Sequence, residues 1–174
     1  VSIACAKVAA KVSGVEVFEY LRTLAEILPR SSGRGKPSRK TPYLYMNLIN
    51  GGKHAKNNLA FQEYHIVPET EDVAEAVDMG IKIQNSLKEI ILKDLGEDSL
   101  VLGDEGGFAS QITDIRKPLL YLKTAIKQND LENKVRLALD VAATSFYENN
   151  SYKIDGKEIT KEELLNIYNS LVKE

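Results

Sequence analysis

Cysteine occurs once in the 174 residues and histidine twice, and no initiator methionine opens the chain. No apolar run approaches the roughly 18–20 residues of a membrane span, so no such span is expected. The single cysteine, Cys5, excludes an internal disulfide and fits a reducing compartment. Charge of one sign is also scarce: the formal net charge is -2, which argues against a general nucleic-acid binder. The start, Val1-Ser2-Ile3-Ala4-Cys5, lacks the basic leader of a signal peptide, and without a Met it reads as a piece of something longer. No internal repeat is found, and no low-complexity tract outside residues 29–42.

What is present suits a globular domain: 43% of residues are hydrophobic and 28% charged, enough for one good core and part of a second. Residues 1–13 are rich in Ala and Val, with Lys7 and Lys11 four apart. That spacing is one helical stripe, so one lysine face is expected wet and the rest buried, with Cys5 in the core. Ser13-Gly14 breaks this helix. A second carries Phe18, Leu21, Leu24, Ala25 and Leu28 at helical spacing, and Pro29 ends it. Residues 29–42 then hold Arg30, Arg34, Lys36, Arg39 and Lys40 and almost nothing apolar. A phosphate or nucleic-acid patch is one reading. A solvated interdomain linker is the other, and it is favoured because no aromatics interleave the charges. The stretch also lacks the Gly-Lys-Ser/Thr order of a P-loop.

From Tyr43 the pattern changes. Tyr43–Ile49 and Phe61–Val67 read as strands, an antiparallel start, joined by the Gly-rich loop at Asn50-Gly51-Gly52. Residues 71–95 read as a long helix with acids in its first turn, Val73, Val77, Ile83, Leu87, Ile90 and Ile91 on its buried side, and Gly96 as its stop. Leu100–Gly103 reads as a short buried strand, 114–128 as a helix that starts or kinks at Pro118, and Val135–Asp140 as a strand. Phe146–Ile154 reads as a hairpin with Asn149-Asn150 at its tip, and a last helix starts at Thr160, where Glu163 completes a capping box. The later alternation of helix and strand asks for parallel strands with crossover helices.

Carboxylates punctuate this order. Asp104 and Glu105 precede Gly106-Gly107, whose freedom permits a sharp exit that points an acid into a cleft; two solvated acids on a turn is the bland alternative. Asp140 follows an apolar strand and precedes Val141-Ala142-Ala143, a context in which a charge needs a salt-bridge partner or a hard cation such as Mg²⁺. His54 lies in the polar, flexible loop, as a proton shuttle, a phosphate contact or a packing residue. His65, in mid-strand, is assigned to packing. Gln62 and Glu63 point to opposite faces of a regular strand, so both reach one site only if the strand end is irregular.

Three motifs in order carry a resemblance: Asn50-Gly51-Gly52-Lys53-His54-Ala55 with Gln62-Glu63, then Gly103-Asp104-Glu105-Gly106-Gly107-Phe108-Ala109, then Ala138-Leu139-Asp140-Val141-Ala142-Ala143 with Phe146-Tyr147. Together they resemble enolase (phosphopyruvate hydratase), over essentially the whole chain. The resemblance implies an α/β fold. Residues 1–28 would be the last helices of an N-terminal α+β domain, 29–42 a linker, and 43–174 the first part of an incomplete enolase-type barrel. It implies Mg²⁺-dependent dehydration of 2-phosphoglycerate to phosphoenolpyruvate in glycolysis and gluconeogenesis, in the cytoplasm. Glu105 with Glu63 would handle departure of the 3-hydroxyl. His54, with Gln62 beside it, would close on the substrate. Asp140 would be the first of three carboxylates on the Mg²⁺. It also implies a homodimer or a higher assembly of dimers. The family's base lysine, two further metal carboxylates and its phosphate-holding arginine and second lysine would lie beyond Glu174, and its first mobile loop before Val1.

Lys56 stands where the family usually has Gly, Ser110 where Pro is usual and Ser145 where Glu is usual. An eight-stranded barrel takes about 250 residues, so 174 residues taken alone are expected to leave an unpaired strand edge, to be inactive and to be poorly soluble. The rival reading is an inactive enolase-like fragment that serves as a binding or structural module.

Overall fold

The computed structural model of the protein describes residues 2–27 and 42–174. The chain divides into two compact units, Val1–Thr41 and Pro42–Glu174. The basic stretch read as a linker lies outside the described residues, except for Pro42.

The first unit holds α1 (Ser2–Ser13) and α2 (Val17–Ile27), joined through Gly14 in the left-handed region. The expectation that everything outside the lysine stripe is buried fails. Among the described residues of the unit only Ala10 is buried, while Cys5, Ile3, Val8, Phe18 and Leu21 are exposed. Two short helices share one narrow seam, and Ala10 lies on it; Cys5 does not.

The second unit runs β1 (Met46–Asn50), β2 (Glu63–Pro68), α3 (Val73–Leu95), α4 (Lys117–Gln128), β3 (Val135–Asp140), β4 (Tyr147–Glu148), β5 (Ser151–Ile154), β6 (Lys157–Ile159) and α5 (Lys161–Lys173). Local signals set most of these limits. Asp72 caps α3 by accepting from the Ala74 and Glu75 amides, and Gly96 closes it. Pro118 stands in the first turn of α4, where its missing N–H costs nothing. Thr160 and Glu163 form the reciprocal capping box of α5.

Strands β1, β2 and β3 make one sheet in that order, antiparallel throughout. The antiparallel start is as expected, but β3 is not parallel to β2. The stretch Leu100–Gly103 forms no strand, so α3 and α4 follow one another without a strand between them. One crossover helix returns the chain for a parallel strand; two in succession leave it at the opposite end, and the next strand runs antiparallel. Leu100–Gly103 instead enters a tight excursion. Gly103 donates to the Gly107 carbonyl, and Ala109 donates to the Val101 carbonyl. Phe108 alone reaches the sheet, donating to Leu48 O and accepting from Asn50 N.

The hairpin tip at Asn149-Asn150 is as read, both residues having positive φ. A third strand, β6, follows through Asp155-Gly156, a second pair with positive φ, and completes a small sheet β4-β5-β6.

The core lies between the β1–β2–β3 sheet and α3 and α4. Tyr64 and Ile66 point into it from β2, Ile83, Leu87 and Ile91 from α3, and Leu122 and Ala125 from α4; all are essentially sealed from solvent. Each such aliphatic side chain contributes roughly 1.5–3 kcal/mol. The inner face of α3 is Ala76, Met79, Gly80, Ile83, Leu87 and Ile91. Val73 and Val77, expected there, are exposed, because the stripe that meets the sheet is set by close approach at Gly80, where a Cβ would strike Met46 Sδ at 2.4 Å. The Tyr64 hydroxyl donates to the Ile115 carbonyl, and burial first, then Asp155 and Asp114, pushes its ionisation well above the usual range; it stays a neutral donor.

Candidate functional site

The sheet register brings polar residues to one end. Asn50 is the partner of Glu63 on β2, and Glu63 is the partner of Asp140 on β3. Asn50 and Asp140 end their strands and Glu63 begins its own, so this is the C-terminal end of β1 and β3. Register slips between Asn47 and Ile49, a bulge that changes which β1 side chains face this row.

Two loops close over that end. The first, residues 51–62, is not the free loop its composition suggests. Gly51 donates to Gln62 O and Gly52 to Leu59 O, while Leu59 and Phe61 are buried. The Asn57 amide donates to both Asn50 O and Ser110 O, each at 3.0 Å. This tether turns His54 inward. The second loop, Gly103–Gly107, carries Glu105 at its crest. Gly106 has φ 82, and Gly107 passes so near the sheet that a Cβ would lie 2.1 Å from Asn50 Oδ1. Only glycine lets the loop sit this low, and so Glu105 comes over β1.

His54, Glu63 and Glu105 therefore meet. Among the described residues they form the one group of three or more His, Cys, Asp or Glu whose ligand atoms all lie within 4.8 Å of one another. His54 Nδ1 is 3.1 Å from Glu63 Oε1 and 3.5 Å from Glu105 Oε2. It touches both without hydrogen-bond alignment, and Nδ1 is a buried atom with no hydrogen bond of its own. Glu63 is nearly covered, with 14% of its side chain exposed, while Glu105 is open at 48%. Two further residues hold these acids. Asn47 Nδ2 donates to Glu105 Oε2 at 3.1 Å, and His65 Nε2 lies 2.7 Å from Glu63 Oε2. Beside His54 a cavity of about 320 Å³ opens between Lys53, Lys56, Asp104, Ser110 and Gln111.

Four sequence-read residues thus fall at one end of one sheet, though not all as expected. Glu105 ends no strand; it rides a glycine turn. β2 begins at Glu63, so Gln62 lies outside the regular pleat and the alternation of a strand does not fix its face. Among the described residues no hydrogen bond or ion pair joins the Gln62 side chain to the others. Asp140 is not held in an apolar setting. It is exposed at the strand end, where the chain turns sharply through Ala142 at φ 45, and its Oδ1 accepts the Ala142 amide at 3.1 Å. His65 is no mere packing residue. Its spacing of two from Glu63 is the sequence signal, since residues two apart on a strand share one face. Asn47 had no such signal, because its partner is 58 residues away.

The donors divide by chemistry. Asp140 offers carboxylate oxygen, which suits a hard divalent cation, and among the described residues only its Oδ1 is engaged by the chain. The His54 cluster includes a ring nitrogen and suits proton handling or a borderline cation better than Mg²⁺.

The description "Enolase, C-terminal TIM barrel domain" belongs to the family model that matches residues 39–174. The enolase of Methanocaldococcus jannaschii is 39% identical over 175 residues, covering 100% of this chain and 38% of that protein. The enolase of Methanococcus aeolicus is 35% identical over 177 residues, covering 100% of this chain and 39% of its own. That of Methanopyrus kandleri is 37% identical over 177 residues, at 99% and 39% coverage. The chain thus spans about two fifths of the length of the curated relatives it matches. The family implies a divalent metal, and no helix among the described residues is long and apolar enough to cross a membrane.

Proposed function

The chain belongs to the family of the enolase C-terminal TIM barrel domain, and from that premise we propose that it carries the acid side of an enolase site, which dehydrates 2-phosphoglycerate to phosphoenolpyruvate with Mg²⁺. One observation supports this above the others: His54, Glu63 and Glu105 come from three separate stretches and converge within 4.8 Å, with Asp140 beside Glu63 in the register.

The chemistry needs such a set. The proton at C2 leaves, the C3–O bond breaks, and hydroxide is a poor leaving group. Glu105 gives the proton that lets the 3-hydroxyl depart as water, and its open position leaves room for substrate. Glu63, nearly covered, orients that hydroxyl from the other side. His54 touches both carboxylates and turns toward the cavity, where it meets substrate, with Gln62 at the loop base. Asp140 would hold Mg²⁺, which stabilises the negative charge that builds on the substrate carboxylate as the C2 proton leaves. Residues 43–174 are then the first part of the barrel and 1–28 the last helices of the preceding domain. The setting is the cytoplasm and the native assembly a homodimer or higher homo-oligomer. The substrate is a small molecule, and nucleic acid has no part in this proposal.

A second reading has its own support. Among the described residues β3 is paired only with β2, and a groove of about 600 Å³ runs beside it between Leu119, Leu137, Leu139, Tyr168 and Leu171. An uncovered apolar edge favours a chain that cannot turn over alone and serves as a binding or structural module. The intact mass of the native polypeptide discriminates: 19.3 kDa favours the module, and twice that or more favours the enzyme. Turnover is then measured in the native polypeptide and in Glu105→Gln. The enzyme reading expects phosphoenolpyruvate from the parent and a fall of about 10²–10⁴-fold in the variant. Equal rates in both would remove Glu105 from the acid role.

A further inference from the structure

We infer that His65 is a positioning residue for Glu63, clamping one carboxylate oxygen so that the other faces His54. The inference rests on the reading of Glu63 as an acid-side group and adds a residue to it.

Glu63 and His65 are two apart on β2, so their side chains leave the same face of the sheet. His65 Nε2 lies 2.7 Å from Glu63 Oε2, a length typical of a charge-assisted hydrogen bond. The two side chains are 13% and 14% exposed, so little water competes for the contact. Glu63 Oε1 is thereby left for His54 Nδ1 at 3.1 Å. A carboxylate held at Oε2 cannot rotate without breaking a partly buried bond, and in doing so would leave an unpaired acceptor. The His65 ring is itself set from two sides: Tyr45 meets it edge-on with centroids 6.1 Å apart, and Asn47 is its direct partner across β1–β2. Asn47 in turn donates to Glu105. One cross-strand pair, Asn47 and His65, therefore supports both carboxylates from beneath, each by one donor. A packing histidine would need only shape; this one presents a donor to a group with a chemical task.

His54 and His65 are the only histidines in the chain, so their imidazole signals are resolved without ambiguity. The test records His54 ring ¹⁵N and ¹H resonances in the 174-residue chain, in His65→Leu and in His65→Gln, whose amide reaches a position near that of Nε2. The expected result is displacement of the His54 signals in His65→Leu and their return in His65→Gln. In the native polypeptide, kcat should fall about tenfold or more in His65→Leu, with KM little changed, and recover in His65→Gln. His54 resonances that coincide in all three proteins overturn the inference, as does an unchanged kcat in His65→Leu. If the resonances follow expectation while the parent shows no dehydration, the clamp stands and the proposed function fails instead.

Discussion

Glu63 stands directly opposite Asp140 across the β2–β3 pair, two carboxylates in one register position. Like charges so placed repel, by roughly 0.2–1 kcal/mol. Asp140→Asn is therefore expected to raise thermal stability slightly in metal-free buffer. In the native polypeptide, adding Mg²⁺ should stabilise the parent and leave the variant far less moved. Equal Mg²⁺ shifts in the native polypeptide and its Asp140→Asn variant would separate Asp140 from the metal.

Asn57 reaches Asn50 O and Ser110 O with a single amide group. Asn57→Ala leaves two carbonyls without that donor and is expected to cost about 1–3 kcal/mol in chemical denaturation. The same change should speed amide exchange at Gly51 and Gly52 relative to the core of α3, since their bonds close the loop that Asn57 fastens. Uniform exchange rates across variant and parent would mean the tether is dispensable.

Gly107 has no room for a side chain. Gly107→Ala places a methyl 2.1 Å from Asn50 Oδ1, so the 103–107 loop must lift. We expect a loss of about 1–3 kcal/mol and weaker engagement of Glu105 with Asn47, read as a shift of the Asn47 side-chain amide resonances. Full stability together with an unmoved amide would contradict the close approach.

Asp94 links α3 to α4. It accepts from Lys117 at 2.7 Å and from the Tyr121 hydroxyl, and these bonds hold its carboxyl below the ordinary value of 3.8. The sign follows: a lowered folded value adds stability that is complete above 3.8 and is lost as pH falls below it through the folded value. Acid titration of stability should thus be steeper below that point in the parent than in Asp94→Asn. Parallel curves would show that the pair is too well solvated to matter.

Much of this protein is local and was legible residue by residue. Gly96, Pro118 and Thr160 set helix limits because capping and proline chemistry act within one turn, while Asp72, read as an acid of the first turn, is the cap of α3. Asn149-Asn150 marks a hairpin because few residues accept a positive φ, and by the same rule Asp155-Gly156 marks the turn into β6. The acids and His54 stood out as residue types in glycine-rich settings. Their roles rested on the resemblance to enolase, and the membership of residues 39–174 in that family agrees with it.

Only the tertiary structure decided how those residues meet. Leu100–Gly103 has a strand's composition, yet Phe108 takes the sheet position beside β1, so two helices come in succession and β3 runs antiparallel to β2. Val73 and Val77 have a buried residue's chemistry, yet close packing of Gly80 on Met46 rotates them outward. Asn47 and His65 acquire a task only because β1 and β2 pair in one register and the Gly107 loop lies flat against Asn50. The physical division is one of range. Caps and turns are governed by neighbours within about four residues, while register, burial and the convergence of His54, Glu63 and Glu105 depend on contacts between residues far apart in the chain.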